Sequence, residues 1–116
     1  MSESPIDPSV LRALESSTDP AFVQELLQTY LEDASLLVEA IRQGLADRAA
    51  GAVRIASHTL KSNSATVGAP RLSALAAELE AMAKAEVLSG GAASLEALAA
   101  EFERVQTALR MWPHAD

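Results

Sequence analysis

Asp19-Pro20-Ala21-Phe22-Val23-Gln24-Glu25-Leu26-Leu27-Gln28-Thr29-Tyr30-Leu31 is the stretch whose reading decides the fold. Asp19 has the oxygen that an N-cap needs for the free backbone N–H groups of a first helical turn, and proline tolerates that turn. From there Val23, Leu27, Tyr30, Leu31, Ala34, Leu37, Val38 and Ile41 recur at helical spacing and form one broad apolar stripe. The pattern predicts a helix from Pro20 to about Gln43, stopped by Gly44.

The same punctuation divides the remainder. Asp7-Pro8 opens a short helix to about Ser16 that carries Val10, Leu11 and Leu14. Asp47 is expected to cap a third helix reaching about Val67 and ending at Gly68. Pro70 starts a fourth, with Leu72, Leu75, Ala76, Leu79, Met82 and Ala83 as its stripe. After the Ser89-Gly90-Gly91 loop, a fifth runs from about Ala93 to Met111 along Leu95, Leu98, Phe102, Val105 and Leu109, with Trp112 one turn on and Pro113 closing it. Amphipathic helices joined by short loops predict an all-α protein. The expected form is an antiparallel up-down four-helix bundle with a short extra N-terminal helix. Residues 1–116 read as a single domain with its core over about 7–112.

Composition limits what such a bundle does. The chain has 116 residues, 49 % of them hydrophobic, enough for one domain with a real core. It has no cysteine, which excludes disulfides, thiolate metal sites and cysteine nucleophiles and points to a reducing compartment. Nine basic residues against sixteen acidic ones give a net charge of -7, which argues against nucleic acid and anionic membrane surfaces. Neither a signal peptide nor an apolar run of spanning length is present, so a cytoplasmic location is expected.

The third helix carries the chemistry. At about 100° per residue, Ala49, Val53, Ala56, Leu60 and Val67 fall on one side, roughly opposite His58. Around the histidine lie Gly51, Arg54, Lys61, Ser62 and Ala65, with the apolar Ile55 on the other flank. Gly51 and Ser62 leave the imidazole uncovered, although a mid-helix glycine also suits a close helix approach. A metal site is not expected: the second histidine, His114, lies in the predicted tail, and no carboxylate cluster accompanies His58. Ser57, Ser62 and Ser64 share the helix but nothing supplies an oxyanion hole.

His58-x-Leu60-Lys61, the small residues after it, Gly68 ten positions on, Leu72 and the pair Leu79-Glu80 together resemble the histidine-containing phosphotransfer (HPt) domain of multistep bacterial phosphorelays. The motif covers positions 57 to 80. The resemblance implies that His58 accepts a phosphoryl group from a receiver-domain aspartyl phosphate and hands it to another receiver, attacking through Nε2. It implies that Lys61 stabilises the phosphate and that Glu80 reaches across from the fourth helix to Nδ1. Ser62 stands where the family often has glycine, and is small enough to leave room. The implied partners are response-regulator receiver domains and a hybrid sensor histidine kinase. Ile55, Arg54, Ser62 and Ala65 are the expected docking surface, with Val10 and Leu11 of the first helix, and Gly68 has a structural role.

The chain has no glycine-rich phosphate loop and no acidic magnesium pocket. It is therefore expected to be a phosphocarrier without a kinase or ATP site of its own, to hold no cofactor, and to meet magnesium only on the receiver. A monomer is expected. A helical adaptor without phosphoryl chemistry is the alternative, and leaves the His58–Lys61–Gly68 pattern as coincidence. The phosphoacceptor domain of a chemotaxis-type kinase ranks below both, because this chain shows no kinase domain.

Overall fold

The computed structural model describes residues 4–113; the tail that carries His114 lies outside them. Five α-helices and no strand occur among the described residues: α1 Pro8–Ser17, α2 Pro20–Ala46, α3 Ala50–Thr66, α4 Pro70–Lys84 and α5 Gly91–Arg110. The two Asp-Pro starts are built as expected. Asp7 Oδ1 accepts from the Ser9 N–H at 3.0 Å and Asp19 Oδ1 from the Phe22 N–H at 2.8 Å, each cap contributing about 1 kcal/mol.

Each helix packs on the next in sequence and α5 returns to α2, while α1 lies against α2. This is consistent with an up-and-down bundle. Leu27, Ile41, Val53, Leu60, Leu72, Leu79, Leu98 and Val105 are buried between the four long helices. Tyr30 ties α2 to α3 through a 2.8 Å hydrogen bond between its hydroxyl and that of buried Ser64. Burial pushes the Tyr30 phenol up to about 12, so it stays neutral. No described helix is long and apolar enough to cross a membrane.

Three boundaries differ from the sequence expectation, all for packing reasons. Gly44 does not stop α2; it is buried inside that helix, where a Cβ would stand 2.8 Å from Val53 Cγ2. The glycine lets α2 and α3 close on each other just before their turn. Asp47 does not cap α3 but ends α2, accepting from Gln43 Nε2 at 3.1 Å, and Ala49 takes the N-cap position without a side-chain bond. The fifth helix begins two residues early, because Gly91 is buried against Leu45 as the first residue of α5.

Gly68 closes α3. Its φ of +79° is the left-handed conformation that ends α3, and a Cβ there would lie 2.9 Å from Val10 Cβ and 3.0 Å from the Asp7 carbonyl. The Asp7 N–H donates to the Gly68 carbonyl at 2.7 Å. The chain entering α1 is thereby pinned to the α3–α4 turn. The far end of α1 is fixed to the C-terminus: Trp112 Nε1 donates to Glu15 at 3.0 Å, and Arg12 lies 5.8 Å over the Trp112 ring.

Candidate phosphoacceptor site

His58 stands in the middle of α3, with its helix's core residues Val53, Ala56 and Leu60 turned the other way. Its side chain is 59 % exposed. The helix around it is bare: Gly51, Arg54, Ser62 and Ala65 are all exposed. Gly51 marks no close approach, since a Cβ there would meet nothing within 4 Å. Ile55 is 62 % exposed on the flank away from α4.

The neighbouring α4 supplies the polar half of the site. Glu80 is buried beside the Leu79 and Ala76 stripe, and its carboxylate emerges toward α3. Its Oε2 lies 2.8 Å from His58 Nδ1 and its Oε1 lies 2.6 Å from Lys61 Nζ. Lys84, one turn along α4, approaches the same Oε2 at 3.6 Å. The Ser73 hydroxyl donates to the Lys61 carbonyl at 2.9 Å, so a second bond across the α3–α4 pair fixes the helices' relative height.

The protonation of this cluster follows from its geometry. The Lys61 ammonium holds the Glu80 carboxyl down at about 2, with the His58 hydrogen bond and the Lys84 charge adding to its effect against burial. An ionised carboxylate is an acceptor only. The hydrogen in the 2.8 Å contact therefore belongs to His58 Nδ1, and in the neutral ring the lone pair sits on Nε2, the other nitrogen of the largely exposed imidazole. A neutral ring tethered in this way can act as a nucleophile through the nitrogen that Glu80 does not engage.

The remaining sequence-derived residues divide. Lys61 is turned to Glu80, its ammonium within the same cluster as the imidazole. Val10 is half-buried against Gly68. Leu11 was expected on the docking surface and is instead fully buried. The short helix α1 spends this residue on the core, because the pinning of Asp7 and Val10 at Gly68 sets its rotation. Lys84 was missed by the sequence reading, although its spacing of four from Glu80 on a helix is a readable ion-pair signal.

The α3–α4 hairpin thus presents a carboxylate-tethered imidazole to solvent. The Hpt domain family model matches residues 25–108. The chain belongs to that family, whose members are phosphotransfer proteins of two-component phosphorelays and interact there with receiver domains and kinases. Among solved structures it is similar to histidine-containing phosphotransfer protein B (HptB) from Pseudomonas aeruginosa PAO1, with a TM-score of 0.89, 26 % identity and 95 % of each chain covered. No functionally curated protein matches it significantly.

Proposed function

We propose that His58 is the phosphoacceptor of a relay intermediate, taking the phosphoryl group from the aspartyl phosphate of one receiver domain and passing it to another. The observation that supports this most is the pairing of an exposed ring with an Nδ1 anchored at 2.8 Å to an ionised Glu80. The anchor selects the tautomer whose Nε2 lone pair attacks phosphorus. As that bond forms, the aspartyl P–O bond breaks and its electron pair returns to the receiver's carboxylate. Lys61 is within reach of the incoming oxygens from its place beside the ring, and contributes a charge-assisted contact.

In this reading the protein supplies position and the receiver supplies the acidic, magnesium-binding half of the site. The chain then acts as a phosphocarrier rather than an enzyme, holds no cofactor itself, and works as a monomer in the cytoplasm. Receiver docking falls on the exposed face formed by Arg54, Ile55, Ser62 and Ala65, where Ile55 gives the apolar contact. The hybrid sensor kinase enters as the carrier of the donor receiver.

Incubation with a phosphorylated receiver domain tests the assignment. Acid-labile, alkali-stable label is expected on the wild-type chain and absent from His58→Gln. Equal label on both, or none with any receiver encoded in the same genome, sinks the reading.

A further inference from the structure

Glu80 brings to the histidine more than a hydrogen-bond acceptor. It brings a full negative charge, nearly buried on α4, with each oxygen engaged on a cation or on the imidazole. A glutamine in its place supplies a similar hydrogen bond without that charge. Building on the phosphoacceptor role proposed for His58, we infer that the charge of Glu80 keeps the proton on Nδ1 through both halves of the transfer cycle, including on the phosphorylated ring.

The consequence lies in the leaving group. During loading, the Nε2 lone pair forms the P–N bond and the ring, still carrying Nδ1–H, becomes a phosphoimidazolium. During unloading, an aspartate oxygen of the next receiver attacks phosphorus and the P–N pair returns to Nε2. With Nδ1 protonated, the departing group is a neutral imidazole. With that proton lost, the departing group is an imidazolate, a far more basic and slower one. A carboxylate fixed at 2.8 Å favours the cationic ring by charge and hydrogen bond together. No proton then has to cross the interface in either direction, and unloading continues at pH values where an untethered phosphohistidine has turned sluggish.

The surrounding charges set the size of this effect. On α3, Lys61 shares the Glu80 carboxylate and Arg54 is exposed one turn from His58. On α4, Lys84 shares the oxygen that accepts from Nδ1. These cations oppose proton retention, and the phosphoryl oxygens offer the two lysines a second anionic partner once the ring is loaded. On α2, packed against the other flank of α3, Asp33 and Glu32 are exposed and Glu39 pairs with Arg42. On α5, beyond α4, Glu101 pairs with Arg71 and Arg104. Among the described residues, the carboxylate in contact with the ring is that of Glu80.

Loading His58 with phosphoramidate and following the ring nitrogens of isotope-labelled protein by NMR tests the inference without a receiver. The phosphorylated wild-type ring is expected to keep Nδ1–H to at least about one pH unit above Glu80→Gln, and so to hydrolyse up to about tenfold faster above that range. Coincident pH midpoints, or an earlier proton loss in the wild type, overturn it. The wild type decides alone if the variant does not fold: Nδ1–H retained about two pH units above the ordinary imidazole value supports the inference, and loss near that value overturns it. Failure of receivers to unload a loaded His58 counts against receiver-to-receiver transfer, whereas coincident midpoints count against the charge of Glu80.

Discussion

Glu80 on α4 and Glu101 on α5 are two buried acids on adjacent helices, 4 % and 3 % exposed, each facing two basic side chains. They use those partners differently. Glu80 divides them: Lys61 takes Oε1, while His58 and Lys84 share Oε2. Glu101 places both Arg104, at 2.8 Å, and Arg71, at 3.6 Å, on Oε1 and leaves Oε2 buried without a hydrogen bond. A carboxylate held at both oxygens has a fixed plane and can orient a third group. One held at a single oxygen fastens two helices and orients nothing. The difference separates a site from a clasp among residues of equal burial and the same chemistry.

The sharpest way to break this comparison is to truncate each acid and measure transfer. Glu80→Ala is expected to slow phosphoryl transfer by about 10- to 100-fold, the range seen when a metal-bound histidine loses the partner that orients its ring. Glu101→Ala is expected to leave it unchanged. Stopped-flow or quench measurements with one phosphorylated receiver check both. Equal losses in the two variants would show that the acids act alike, through helix packing.

The comparison also shows what the sequence reveals of such a site. Asp7-Pro8, Asp19-Pro20, Pro70 and Gly68 were legible because each acts through its own backbone or its nearest neighbours in the chain. Gly44, expected to end a helix, and Gly91, expected in a loop, both lie inside helices, because a glycine that breaks a helix and one that admits a neighbour look identical before the neighbour is in place. Asp47 differs for a related reason, since a connection of three residues, 47–49, offers it to either helix. Leu11 belongs to a helix of ten residues whose rotation is set by contacts with Gly68 and Asp7, distant or outside it. The family resemblance, not any spacing rule, pointed to Glu80 beside His58, and its sharing by two lysines depends on rotamers that no such rule fixes.

Acid titration of stability is the second way to sharpen the contrast. The folded Glu80 carboxyl is held at about 2 against an ordinary 4.5. A depressed carboxyl contributes stability that is complete above its unfolded value and is lost as pH falls through its folded one. Its contribution is therefore expected in full above about pH 4.5 and to fade toward pH 2. Urea unfolding of wild type and Glu80→Gln checks this: the difference between them should shrink as pH drops through that window. A difference independent of pH means that Glu80 is not ionically tied in the native protein.

The smallest effect expected concerns the clasp. Replacing Glu101 with leucine removes ion pairs to Arg71 and Arg104, whose side chains are 66 % and 41 % exposed, and pairs so exposed contribute little. It also removes the buried Oε2 that lacks a hydrogen-bond partner, whose desolvation opposes folding. Leu98 one turn before and Val105 one turn after lie on the same buried face of α5, so an apolar side chain of similar volume has a surface to join. Glu101→Leu is expected to stabilise the bundle by about 1 kcal/mol, raising Tm by about 4 °C. A fall of similar size in thermal denaturation would mean that the arginine pairs outweigh the stranded oxygen, and that Glu101 is as well matched to its surroundings as Glu80.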